Sequence, residues 1–267
     1  MSYNIHLQQD NIHLPQDNIH LPQDLDFIFY HIEKCGGSSL RIYINDLFLA
    51  KYPQSLIFIP EYSGDITQNF IPQLIPDIQQ NPYFDYPELK VILSHIRYND
   101  FPQIVAKMKI SMIREPIDRV ISHYYFFSYP ETQIHFIDLP ETDFAFFCTG
   151  IGNHASSCLG IFDENMEFDE NRMRQRIAEF AFIGTMENFC EDVKKIHQLI
   201  CATFFSECTH SDIQILHLNK NDNKSVKDTE ALTEKIRPYV TYDQLLYEAV
   251  KTKNQRINDL DTSHHYA

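Results

Sequence analysis

The segment His31-Ile-Glu-Lys-Cys-Gly-Gly-Ser-Ser-Leu40 gathers a lysine, two adjacent glycines and two serines within six residues. Only seven glycines occur in the chain, so Gly36 and Gly37 side by side are a deliberate feature. Glycines let backbone N–H groups converge on an anion with no Cβ in the way. Lys34 adds a full positive charge, and Ser38 and Ser39 add hydroxyl donors. The chemistry this suits is the cradling of a phosphate or sulfate; an ordinary strand–Gly-Gly–helix turn is the plainer alternative. It is not the triphosphate loop GxxxxGK[ST], because Lys34 precedes the glycines instead of following them.

Two further segments carry chemistry. In Met112-Ile-Arg-Glu-Pro-Ile-Asp-Arg-Val-Ile-Ser-His-Tyr-Tyr-Phe126, Arg114 precedes Ser122 by eight residues. An arginine at a strand end beside a helix N-terminus can clamp a phosphate; a surface pair with Glu115 or Asp118 is the competing reading. In Ile92-Leu-Ser-His-Ile-Arg-Tyr98, His95 offers an imidazole that titrates at about 6.5 and so accepts a proton at neutral pH. A merely structural histidine at a strand end is the competing reading there.

These residues need a scaffold, and the hydropathy pattern supplies one. Leu25–Ile32 is a short run of aromatic and branched residues, read as a buried strand. Leu40, Tyr43, Ile44, Leu47 and Phe48 then fall at helical spacing, with Ser38 or Ser39 available as the helix N-cap. Further strands are expected at 55–60, 90–96, 107–114 and 181–186. Helices are expected from Pro116 onward, with Ile117, Val120, Ile121, Tyr124 and Tyr125 on one face, and over 172–180, 188–203 and 242–257. Strands alternating with helices imply a single α/β domain with a central, mostly parallel sheet flanked by helices. Ligands of such sheets bind beyond the carboxyl ends of the strands.

Taken together, the motifs resemble a known family. HIEKCGGSSL resembles the HIPKTGGTSL-type 5′-phosphosulfate loop of the carbohydrate sulfotransferases, with Glu33 in place of a proline and Cys35 in place of a threonine. REPIDRVISHYYF resembles the family's 3′-phosphate motif, which has an arginine and a serine at this separation. Ser94-His95 resembles the GHVSY-type segment of the heparan sulfate 2-O-sulfotransferases, whose second histidine is the base. Phe182–Phe189 resembles the family's FIGLMERF-like strand, and Gly152–Leu159 matches its NxQTxxL-like segment loosely. Leu218–Ser225 has the composition of a late basic loop in which Lys220 or Lys224 reaches a phosphate; a solvated turn is the alternative.

The resemblance implies a P-loop-like sulfotransferase domain that uses 3′-phosphoadenosine-5′-phosphosulfate (PAPS) as co-substrate. Lys34, Cys35, Gly36, Gly37, Ser38, Ser39, Arg114, Ser122 and Lys224 would hold PAPS. His95 and Lys34 would be catalytic, and the acceptor would be a hydroxyl, best matched by a sugar. No metal is required, because lysine can take the place of Mg²⁺. Two other readings stand beside it. Glu33 and Cys35 suit a binding module that kept the fold and lost turnover. A nucleotide kinase-like phosphotransferase would use a related loop, but the missing GK[ST] argues against it.

Composition bounds the rest. The 267 residues suffice for one sizeable domain, expected over 25–260, with a short tail at 261–267. The formal net charge of −15 disfavours nucleic acid and other long polyanions as partners. No run is long and apolar enough for a membrane span, and the polar start lacks a secretory pattern, so a cytoplasmic protein is expected. The cysteines Cys35, Cys148, Cys158, Cys190, Cys201 and Cys208 form no CxxC and no zinc-like spacing. Free thiols are therefore expected, with a Cys201–Cys208 bridge as the exception to watch. Residues 1–24 hold three heptapeptides, NIHLQQD, NIHLPQD and NIHLPQD. Pro15 and Pro22 exclude a helix through them, and a low-complexity extension is expected, with metal binding by His6, His13 and His20 as the alternative.

Overall fold

The computed structural model describes residues 24–52, 56–58, 89–100, 105–205 and 230–264. The heptapeptides, Cys208, and the loop that carries Lys220 and Lys224 lie outside these.

Five strands form one fully parallel sheet: β1 (Asp24–Tyr30), β2 (Leu56–Phe58), β3 (Lys90–Ser94), β4 (Val105–Ile113) and β5 (Phe182–Thr185), in the order β2-β3-β1-β4-β5. β1 is central. Phe27 to Tyr30 pair with Val91 to Ser94 on one side, and Phe29 and Tyr30 pair with Ile110 and Ser111 on the other. A parallel sheet covered on both faces calls for near-continuous apolar strands. Phe27, Ile28, Phe29, Leu93, Ile110 and Met112 meet that demand and are fully buried.

Helices follow the strands: α1 (Gly37–Lys51) after β1, α2 (Pro116–Phe127) after β4, and α6 (Phe189–Phe204) after β5. Between α2 and β5 lie α3 (Glu141–Ile151), the short α4 (His154–Cys158) and α5 (Glu170–Glu179). The described chain closes with α7 (Glu230–Ile236) and α8 (Thr241–His264). The expected stripe on α1 is real: Leu40, Ile44 and Phe48 are buried in the sheet core, with Tyr43 and Leu47 packed against its rim. A second apolar cluster joins Val120 and Tyr124 of α2 to Phe144 and Cys148 of α3 and Leu232 and Ile236 of α7.

The α/β architecture matches the sequence reading, with shifted details. β1 ends at Tyr30, so His31 and Ile32 belong to the loop. β4 starts at Val105 and stops at Ile113, which leaves Arg114 just past the strand. The N-cap of α1 is neither serine but Gly36, whose φ of 75° favours a residue with no Cβ. Ser38 and Ser39 lie inside the first turn. Helices α3, α4 and α7 were not anticipated. Cys35, Cys148, Cys158 and Cys190 are free thiols, as expected, whereas Cys201 is disulfide-bonded, which corrects the free-thiol expectation for that residue.

Candidate active site

The carboxyl ends of β1, β3 and β4 adjoin, so three segments distant in sequence meet at one edge of the sheet. From β1 the chain turns through 31–36 into α1. Lys34 sits in left-handed backbone at φ 64°, and Gly36 follows at φ 75°. Two left-handed residues so close make a tight concave turn, which Gly36 satisfies without strain. The N-cap Gly36 offers no side chain to cap α1, and the first turn carries the helix's positive end. A Cβ on Gly36 would meet Met186 Sδ at 2.5 Å, and one on Gly37 would lie 1.9 Å from the His31 ring. Both glycines are therefore fixed by packing as well as by any ligand.

Lys34 and Arg114 bring two cations together here. Arg114 Nη1 donates to the Lys34 carbonyl at 3.4 Å, and its Nη2 lies 3.9 Å from Asp118. The Lys34 ammonium stands 3.5 Å from the Phe126 ring centroid on α2. Burial, then the Arg114 guanidinium, lowers the Lys34 pKa to about 8. Glu115 caps α2 by accepting from the Asp118 amide at 2.7 Å, with Pro116 in the first turn. This cap fixes the direction in which the chain leaves β4. Ser122 lies half-buried on α2.

His95 follows β3 on the other side of β1. Its ring stacks on that of His31, with centroids 3.8 Å apart, and the His31 amide donates to the Ser94 carbonyl at 2.8 Å. Nδ1 of His95 lies 3.6 Å from Glu33 Oε1. Burial lowers the His95 pKa against the opposing pull of Glu33. Burial, with His95 close by, lowers that of His31 further. Both rings are therefore neutral at neutral pH.

The other oxygen of Glu33, Oε2, contacts His154 Nε2 on α4. Although burial pushes the other way, the His154 imidazolium and its hydrogen bond hold the Glu33 carboxyl well below the usual carboxylate range. Burial likewise opposes charge on His154, but Cys158 and Glu33 outweigh it and push its pKa up to about 10. One carboxylate thus joins His95 to His154.

Most of the residues singled out from sequence converge: Lys34 to Ser39 and Arg114 at the ends of β1 and β4, and His95 at the end of β3. Cys35 is placed otherwise. Its side chain is wholly buried in the sheet core, and burial pushes its pKa up to about 12, so only its backbone faces the loop. Sequence reasoning missed His31, His154 and Cys158, and it treated Glu33 only as a departure from a pattern. The signal available for His154 and Cys158 was their four-residue spacing, which puts both on one side of a helix.

A family model described as "Sulfotransferase family" matches residues 18–254. Among solved structures, a crystal structure of a sulfotransferase from Alicyclobacillus acidocaldarius matches with a TM-score of 0.45 and 16% identity, over 84% of this chain and 94% of that one. No curated protein matches the chain.

Proposed function

The chain belongs to the sulfotransferase family and is a transferase enzyme; from that premise we propose that it moves the sulfonate of PAPS to a sugar hydroxyl. The observation that carries this reading is the adjacency of Lys34, Arg114 and the start of α1, with His95 one strand away. Two cations beside the positive end of a helix suit a ligand with phosphates at two positions.

In this reading the 31–39 loop and Lys34 hold the 5′ side of PAPS, and Arg114 with Ser122 holds the 3′-phosphate. Cys35 takes part through its backbone N–H, and Lys224 is assigned to the same ligand on the sequence resemblance alone. PAPS supplies an activated sulfonate. His95, neutral because buried, accepts the proton of the acceptor hydroxyl at Nε2, since Nδ1 is turned to Glu33. Glu33, with Oε1 3.6 Å from Nδ1, stabilises the imidazolium that forms. Lys34 stabilises negative charge that develops on the departing phosphate oxygen. No step in this scheme needs a metal ion.

Calorimetric titration with adenosine 3′,5′-bisphosphate, ATP and 5′-AMP, without added metal, tests the reading. Preferential binding of the bisphosphate, lost in Arg114→Ala, is the expected result. Failure of the folded protein to bind it, or tighter binding of Mg·ATP, overturns the reading.

A further inference from the structure

Two ligand-bearing side chains outside the proposed proton transfer, His154 and Cys158, meet Glu33 where α4 packs on the 31–36 loop. Glu33 Oε2 and Cys158 Sγ both approach a single atom, Nε2 of His154; the sulfur is 3.3 Å away. The three donor atoms all lie within 4.8 Å of one another. A catalytic triad uses the two different nitrogens of an imidazole, one for the nucleophile and one for the carboxylate. Here the thiol and the carboxylate converge on the same nitrogen. A single proton on that nitrogen points at only one of them, whereas a cation among the three satisfies all.

The sulfur–nitrogen dimension agrees. Bonds of about 2.3 Å to sulfur and about 2.0 Å to nitrogen at a tetrahedral angle separate those ligands by roughly 3.5 Å. The observed sulfur–nitrogen distance is 3.3 Å. His154 and Cys158 stand four residues apart on one helix, which presents both from the same face. Cys158 is buried and Glu33 and His154 are half-buried, so the donors are sheltered from bulk water. Glu33 is also held through its other oxygen, which faces His95.

We propose that Glu33, His154 and Cys158 form a binding site for a divalent cation of Zn²⁺ type, with a fourth position for water or another donor. One thiolate, one imidazole and one carboxylate form a borderline donor set that favours zinc over magnesium or calcium. Binding exchanges protons for metal: one leaves the Glu33–His154 contact and one leaves the Cys158 thiol, as the three atoms become ligands. The cation then ties α4 to the loop that carries Lys34, through a residue only one position away from it. The site is a clasp on the loop that shares Glu33, through its other oxygen, with the ring of His95.

Titration of the apo protein with Co²⁺ alone, followed by absorption and then displaced by Zn²⁺, tests this. The expected result is one equivalent bound with a sulfur-to-cobalt charge-transfer band, intense tetrahedral d–d bands, proton release, and a higher Tm with Zn²⁺. Cys158→Ser removes the charge-transfer band, and His154→Gln weakens binding at least tenfold, each in protein that still melts cooperatively. Absence of the band, or its persistence in Cys158→Ser, overturns the proposal. Bisphosphate titration of the same metal-free samples is an independent readout, so a failure of the nucleotide reading and a failure of the metal site are told apart.

Discussion

Arg119 of α2 is wholly buried, and its Nη2 lies 3.6 Å from a carboxylate oxygen of the equally buried Asp243 at the start of α8. The same carboxylate accepts from the amides of Ala155 and Ser156 at 3.0 and 2.7 Å, so it also caps α4. Breaking a buried ion pair by removing one partner leaves the other charge unpaired and costs about 3–5 kcal/mol. Asp243→Ala should show a loss of that order in urea unfolding. Arg119→Met combined with Asp243→Asn should cost clearly less than the two single changes added together. Strict additivity would mean that the pair is not coupled.

Acid should weaken the fold through His123. Burial, reinforced by Arg119 and His154, lowers its pKa from 6.5 to about 3, although Glu33 pulls the other way. The unfolded chain therefore binds this proton at a pH where the folded chain refuses it. Stability is lost as pH falls from 6.5 toward 3, by at most about 1.4 kcal/mol for each pH unit. His123→Gln removes this contribution and should flatten the decline in unfolding free energy between pH 7 and pH 5 by up to about 2 kcal/mol. An unchanged slope would assign the acid sensitivity to other groups.

At Gly37 a methyl group would land 1.9 Å from a His31 ring that is stacked on both Phe29 and His95. The ring has nowhere to retreat, so Gly37→Ala should displace it and disturb His95. The expected outcome is a stability loss of about 1–3 kcal/mol, with turnover reduced by more than tenfold. Thermal melts beside sulfotransfer assays check both parts; full activity would mean that the His31–His95 stack has no part in catalysis.

Restoring the threonine that related loops carry should not help this enzyme. Cys35 points into the core, and its sulfur lies 3.5 Å from the Glu33 carbonyl. Cys35→Thr adds a methyl and a more polar group to a filled space, and should cost about 1–3 kcal/mol. Bisphosphate affinity should stay within about twofold. A several-fold gain in affinity by calorimetry would show that the side chain at this position reaches the ligand.

Much of this site was legible because strand–loop–helix units announce themselves locally. The apolar run at 25–32, the paired glycines and the stripe on α1 lie within one short stretch, and each is a short-range property. The same holds for Arg114, marked by the end of a strand and by Pro116. His154 and Cys158 were not legible, because their partner Glu33 lies 121 residues from His154 and only the packing of α4 on the loop unites them. Helix α3 escaped notice for a related reason. Its sequence ETDFAFFCTGI shows no clean polar face, and its burial depends on α2 and α7. The choice of Gly36 over a serine as N-cap followed from backbone handedness, which side-chain preferences alone do not report.

The central position of β1 has a further consequence, for the order in which the molecule can be built. Ser111 donates to the carbonyl of Tyr30, 81 residues earlier, and the Lys90 amide donates to Asp26 across 64. Both edges of the first strand are thus completed by chain that leaves the ribosome much later. Hydrogen bonding along both edges of β1 waits for that chain, and closing such long loops slows folding. The apolar edge of β1 stays open to other chains until β4 arrives. The 31–36 loop, although encoded near the start of the domain, takes its final shape only after β3, β4 and α4 have been made, since Glu33 is held by His154.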